Sequence, residues 1–119
     1  AFPDCGVADW LAMAKRLMTV SGNGRIVFDY DMKIAEPFAA IGATAAQADL
    51  WPGVDGLAGK PVLLVRGGLS DLFSAETLGL MAARLPQAET LTLPRVGHAP
   101  TLDEPEAVAA IDRLLARIG

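Results

Sequence analysis

The sequence predicts an α/β fold in which two parallel strands are flanked by helices. One observation is the uninterrupted apolar run at residues 62–65, which is typical of a parallel strand buried on both faces. Another is the helical spacing of apolar residues that follows this run and again follows a second expected strand at residues 90–93. A strand followed by a crossover helix of this length returns parallel and right-handed. Both strands are therefore expected to end at the same edge of one sheet.

The composition excludes several classes of protein. Hydrophobic residues make up 52% of the 119 residues and 12 more are glycine, an apolar share above the roughly 45–50% of an average domain. This share excludes an intrinsically disordered chain, and the single cysteine, Cys5, excludes a disulfide scaffold. So many apolar residues on a short chain indicate a surface that another segment covers.

Charge and motif content argue against nucleic acid, membrane, metal and cofactor. The net charge is −4 without a basic stripe, so neither nucleic acid nor anionic lipid is expected as a partner. No apolar run approaches the roughly 18 residues of a membrane span, and the first residues lack the features of a signal peptide, so a cytoplasmic location is expected. Because His98 is the only histidine, no metal site is expected either.

The pattern divides the chain into residues 1–59 and residues 60–119. The first part has short, irregular elements: a helix capped by Asp9, a glycine-rich break, an extended piece, an alanine-rich and partly helical stretch, and a short turn or helix. These are expected at residues 9–20, 21–24, 26–30, 34–50 and 51–57.

The second part follows the regular order strand, helix, strand, helix. Ser74 is placed to cap a helix that runs to Leu85, and residues 90–93 form the second strand. Asp103 and Glu106 have the spacing of a capping box for the last helix. The apolar positions expected to share one face of each helix are Leu78, Met81, Ala82 and Leu85, and then Val108, Ile111, Leu115 and Ile118.

Asp71 and His98 follow the two strands at the shared edge, where open α/β sheets bind ligands. An aspartate can hold an imidazole in one tautomer while the histidine takes a proton from a nucleophile. A charge-assisted hydrogen bond between them predicts that the Asp71 carboxylate lies within about 3 Å of a ring nitrogen of His98. The alternative, which the spacing leaves open, is that both are turn or cap residues of glycine-containing loops.

Three motifs in residues 60–119 resemble the closing part of an α/β-hydrolase. They are a strand with a Gly-x-x-x-Asp loop at residues 61–71, a Gly-His loop at residues 95–100, and a Glu-Pro pair at residues 104–105. The resemblance implies that Asp71 is the acid of a catalytic triad and that His98 is its base. Residues 1–59 resemble more loosely the later part of the helical cap that many members insert over the sheet.

The sequence departs from this family at the nucleophile. In the family a Gly-x-Ser-x-Gly elbow precedes the acid and the base, and no such motif is present here. The only serines are Ser21, Ser70 and Ser74, none of them in an elbow. The sequence therefore predicts a C-terminal portion that is incomplete without an N-terminal portion of the same protein, which carries the nucleophile and is the expected partner.

The substrate-binding residues expected from the sequence are apolar. Leu72, Phe73 and Ala99 adjoin the acid and the base, and Trp10 comes from the cap-like segment. A small-molecule substrate suits such a lining. Other bulky side chains of the first part are pocket candidates with core packing as the alternative, namely Met13, Leu17, Phe28, Phe38 and Trp51.

The sequence supports three hypotheses about function and argues against a fourth. The first is a hydrolase acting on a small ester, lactone or related bond through a Ser-Asp-His type triad. The second is a non-catalytic ligand-binding or interaction protein of the same fold. The third, within the fold, is a dehalogenase or epoxide hydrolase with an aspartate nucleophile. A nucleotide-binding role for Gly67 and Gly68 is disfavoured because no Gly-x-Gly-x-x-Gly spacing is present.

Overall fold

The computed structural model describes residues 2–37 and 49–118. Its contacts form two compact units, one from residues 5–37 and one from residues 2–4 with residues 49–118. Phe38 and most of the alanine-rich stretch expected at residues 34–50 lie outside the described residues. The assignment of residues 1–59 to a cap stays a prediction.

The first unit opens with helix α1 (Val7–Leu17). The expected cap at Asp9 is wrong, since Asp9 lies inside the first turn and Gly6 is the N-cap. From there the Asp9 carboxylate accepts the Gly6 N–H at 2.8 Å. It thereby satisfies a backbone donor at the start of the helix that has no intrahelical partner.

The expected continuation of α1 to Val20 is also wrong, because the residues after Leu17 form a strand. This strand, β1 (Met18–Val20), pairs antiparallel with β2 (Ile26–Phe28). A 3₁₀ helix follows at Met32–Ala35. The unit is therefore a helix followed by a small hairpin.

The glycine-rich break is the turn of this hairpin. The Ser21 N–H donates to the Arg25 carbonyl at 2.8 Å, which closes the turn. Gly24 has a φ of 77°, a left-handed conformation that glycine adopts without steric cost. An open groove of about 450 Å³ lies on this unit between α1 and the hairpin, and its lining includes Leu11, Met18 and Ile26.

The second unit contains the expected strand, helix, strand and helix after a short helix. In order these elements are α2 (Trp51–Asp55), β3 (Leu63–Gly67), α3 (Ala75–Arg84), β4 (Glu89–Leu93) and α4 (Pro105–Ala116). Strands β3 and β4 are parallel, with Leu63 opposite Glu89 and Gly67 opposite Leu93. The α/β class and the parallel pair are confirmed, and both strands end at one edge of the sheet.

The two helices of this unit begin differently. The Ser74 hydroxyl accepts the Thr77 N–H at 3.0 Å, so the expected cap of α3 is confirmed. The capping box expected for α4 is wrong. Glu104 occupies the cap position without a side-chain bond, and Pro105 opens the helix. Asp103 instead accepts a hydrogen bond from the Thr101 hydroxyl.

The core of the second unit lies between the strands and α3 and α4. Its buried apolar residues are Leu64, Leu78, Leu85, Leu93, Ala107 and Ala110. The buried residues of α4 are therefore two of its alanines. Of the face expected from Val108, Ile111, Leu115 and Ile118, Ile111 is half-buried. The other three side chains are 42%, 58% and 62% exposed, so that expectation is wrong for them.

Ion pairs on the surface tie the elements of this unit together. Arg113 on α4 bonds the Glu89 carboxylate at the start of β4, and this hydrogen bond lowers the pKa of Glu89. Arg84 on α3 bonds Asp55 at 3.0 Å and lies 4.5 Å over the Trp51 ring. Trp51, a pocket candidate in the sequence, is thus a packing residue against α3.

Within residues 2–37 and 49–118, no helix has the length and apolar character that crossing a bilayer requires.

Candidate active site

Two loops meet at the carboxyl ends of β3 and β4. The acid loop, residues 68–73, follows β3, and the histidine loop, residues 94–100, follows β4. The Gly68 N–H donates to the Leu93 carbonyl at 2.7 Å, and the Leu69 N–H donates to the Val96 carbonyl at 2.9 Å. These backbone bonds join the loop that contains Asp71 to the loop that contains His98.

Gly67 and Gly68 allow the two loops to approach this closely. A Cβ on Gly67 would lie 1.7 Å from the Gly97 carbonyl oxygen, and one on Gly68 would lie 2.7 Å from the Pro94 carbonyl oxygen. Neither position needs the left-handed conformation. Glycine is needed here because the backbone of the histidine loop packs directly against the backbone at these two positions. The Gly-His pair therefore lies against the end of β3.

Arg66 fixes the acid loop from the strand. Its Nε donates to the Phe73 carbonyl at 2.7 Å, and a terminal nitrogen donates to the Gly68 carbonyl at 3.3 Å. Both ends of the loop are thereby held to one half-buried guanidinium. This role of Arg66 was not among the expectations from the sequence, although an arginine at the end of an apolar strand is a usable signal for it.

The partner of His98 in this structure is Ser70. The Ser70 hydroxyl oxygen lies 2.9 Å from His98 Nδ1. In the part of the chain that the structure describes, no hydrogen bond or ion pair joins Asp71 to His98. The expected distance of about 3 Å between the Asp71 carboxylate and the imidazole is therefore wrong, because the residue before Asp71 occupies the ring nitrogen. The role of Asp71 as the acid stays a prediction.

The expected substrate-binding residues lie in three different settings. Leu72 is 76% exposed on the acid loop, while Phe73 is half-buried and its N–H bonds Ser70 Oγ at 2.9 Å. Ala99 is exposed beside His98. Trp10 is 46% exposed on α1, in the unit formed by residues 5–37. Their contribution to substrate binding stays a prediction.

Metal-ligating side chains do not cluster near these loops. Across residues 2–37 and 49–118, no group of three or more His, Cys, Asp or Glu side chains could hold a metal ion.

Comparison with solved structures places these loops in a known architecture. The chain is 56% identical to a crystal structure of an α/β-hydrolase from Novosphingobium aromaticivorans, with a TM-score of 0.86 over 98% of this chain. The chain has the fold of the C-terminal part of an α/β-hydrolase. It spans 40% of the length of that α/β-hydrolase chain.

The chain is also similar to a curated hydrolase. It is a 3-hydroxybutyrate-oligomer hydrolase from Cupriavidus necator, 40% identical over 83 residues, which are 67% of this chain and 28% of that protein. No protein-family profile matches the chain. The α/β-hydrolase portion described here thus corresponds to well under half the length of both proteins.

Proposed function

We propose that this chain supplies the acid and the base of a hydrolase that cleaves a small ester, lactone or related bond. His98 is the general base, which takes a proton from the nucleophile and returns it to the leaving group. Asp71 orients the imidazole and stabilises its positive charge. The reaction uses side chains and water and needs no cofactor.

The observation that supports this proposal best is the backbone junction of the two loops. Residues 70–71 and His98 are far apart in sequence, yet the bonds from Gly68 and Leu69 join their loops at one edge of the sheet. A Cβ on Gly67 would lie 1.7 Å from the Gly97 carbonyl oxygen, so this glycine allows the backbone before His98 to pack against the end of β3. The proteins similar to this chain are hydrolases, and open α/β sheets bind ligands at the carboxyl ends of their strands. Both points support catalysis at this edge.

The relative from Cupriavidus necator favours an ester among the three bond types. Its name gives 3-hydroxybutyrate oligomers as its substrate, and oligomers of a hydroxy acid are joined by ester bonds. We therefore propose an ester of a small hydroxy acid as the first substrate class to test.

The nucleophile of the proposed reaction lies outside these 119 residues, in an N-terminal portion of the same protein. We expect the isolated chain to be inactive on an aryl ester and expect turnover once a portion with the elbow is added. A colorimetric ester assay measures this. Hydrolysis by the isolated chain that survives repurification would contradict the proposal.

The variant Asp71→Asn tests whether Asp71 is the acid of the triad or only a turn residue. The amide keeps the side-chain shape but no longer stabilises the charged ring, so kcat of the full-length enzyme should fall by at least about tenfold with KM nearly unchanged. Steady-state kinetics on the ester measure both constants. Asp103→Asn, the same change at an exposed loop residue, is the matched control. If Asp71→Asn and Asp103→Asn have the same kcat and KM, the assignment of Asp71 as the acid is wrong.

The two alternative functions, a dehalogenase or epoxide hydrolase and a non-catalytic binding protein, are each tested by the residue at the elbow. A dehalogenase or epoxide hydrolase requires an aspartate at the elbow, so the identity of that one residue separates these reactions from ester hydrolysis. A non-catalytic binding protein of the same fold requires an elbow without a nucleophile. The cytoplasmic location stays a prediction.

A further inference from the structure

The hydrogen bonds of Ser70 determine the direction of its contact with His98. Ser70 Oγ accepts the Phe73 N–H at 2.9 Å and the Leu72 N–H at 3.3 Å. A serine hydroxyl has two lone pairs and one proton. Since both lone pairs are taken by backbone donors, the proton is left for the third neighbour, His98 Nδ1, at 2.9 Å.

This direction fixes the tautomer of the neutral imidazole. If Nδ1 of His98 accepts a hydrogen bond from the Ser70 hydroxyl, the single proton of the neutral ring is on Nε2. A general base of the proposed kind needs the opposite tautomer, with Nδ1–H donated to a carboxylate and a free lone pair on Nε2. The arrangement with Ser70 is therefore a resting arrangement of the base.

We propose that Ser70 is a positioning residue that competes with the adjacent Asp71 for Nδ1 of His98. Bound to Ser70, the imidazole is the Nε2–H tautomer and cannot take a proton at Nε2. In the active arrangement the Nε2 proton has left to water, a water proton has reached Nδ1, and Nδ1–H donates to Asp71. The imidazole is neutral in both arrangements, since water takes one proton from Nε2 and supplies one to Nδ1. This inference rests on the proposed role of His98.

The same bonds argue against Ser70 as a nucleophile. Attack on a carbonyl uses an oxygen lone pair, and both lone pairs of Ser70 Oγ accept backbone N–H groups of its own loop. The hydroxyl also lacks the elbow position between a strand and a helix. A serine–histidine pair within this chain is thus a regulatory contact of the base.

Ser70→Ala in the full-length protein tests the competition. Losing one neutral hydrogen bond should raise the ratio of Nδ1–H to Nε2–H tautomer of His98 by about twofold to tenfold. Imidazole ¹⁵N shifts measure the ratio, with the His98 signal identified by its loss in His98→Ala. We expect kcat on the ester to rise about twofold or more with KM unchanged, because a larger fraction of the base is competent.

Three further variants serve as controls for Ser70→Ala and as an alternative if it does not fold. Ser70→Thr retains a hydroxyl and should retain the wild-type ratio. Ser70→Cys keeps a similar shape with a weak S–H donor, and should shift the ratio in the same direction if Ser70→Ala fails to fold. Ser74→Ala removes a hydroxyl that caps α3 without touching His98, so it should leave the ratio and kcat unchanged.

An unchanged tautomer ratio in Ser70→Ala and Ser70→Cys, or a kcat below wild type in both, overturns the proposal. Complete loss of turnover in both would identify Ser70 as a participant in the chemistry. The proposed function fails by a different result, full activity of His98→Ala, and the ¹⁵N measurement does not depend on activity. The two failures are therefore distinguishable.

Discussion

His98→Ala in the full-length enzyme should lower kcat by about 100-fold to 10,000-fold, the usual contribution of a general base. His98 is the only histidine of the chain, so the substitution removes the proposed acceptor of the nucleophile's proton. KM should change little, since the ring acts on the nucleophile rather than on substrate binding. Steady-state kinetics on an ester give both constants. Asp112→Asn, an exposed change on α4, is the control and should leave kcat unchanged.

A double variant distinguishes a triad base from a loop histidine. Combining Asp71→Asn with His98→Ala should cost little more than His98→Ala alone, since the members of a triad act as a unit. Full activity of His98→Ala, or strictly additive losses in the double variant, would favour the loop histidine.

Gly67→Ala should destabilise the protein by at least about 3 kcal/mol, the upper end of the range for overpacking. The new Cβ would lie 1.7 Å from the Gly97 carbonyl oxygen and 2.6 Å from that of Val96. Both obstacles are backbone atoms, which cannot rotate away as a side chain does. The histidine loop must move, so activity should be lost together with stability. Urea unfolding of the full-length protein measures the change.

Gly79→Ala is the matched control for this substitution. Gly79 lies within α3, and a Cβ there meets no atom within 4 Å. Alanine is the better helix former, so stability should rise by about 0.5–1 kcal/mol. If Gly67→Ala unfolds at the same urea concentration as wild type and keeps full activity, the account of the loop junction is wrong.

The sequence predicts the second unit well because its signals are local. The apolar run of β3, the Ser74 cap and the glycine-bounded loops each depend on neighbouring residues, and together they predict parallel strands with Asp71 and His98 at one edge. The family resemblance at residues 60–119 adds the triad roles. Both the parallel sheet and the α/β-hydrolase fold are confirmed.

Other features depend on contacts that spacing does not encode. The strand Met18–Val20 continues the apolar pattern of α1, so only its pairing with β2 separates it from the helix. The buried face of α4 is set by which side packs on the sheet, and the small side chains of Ala107 and Ala110 allow close approach. The Ser70–His98 bond joins residues 28 apart, and nothing adjacent to Ser70 in sequence indicates it.

The location of the nucleophile shows whether His98 serves a serine outside these 119 residues. A fluorophosphonate probe reacts covalently with an activated serine, and peptide mass spectrometry of the labelled full-length protein identifies the modified residue. We expect a single adduct on a peptide outside these 119 residues, in a Gly-x-Ser-x-Gly elbow, with labelling strongly reduced in His98→Ala. An adduct on Ser21, Ser70 or Ser74 would show that the proposed division of the triad is wrong.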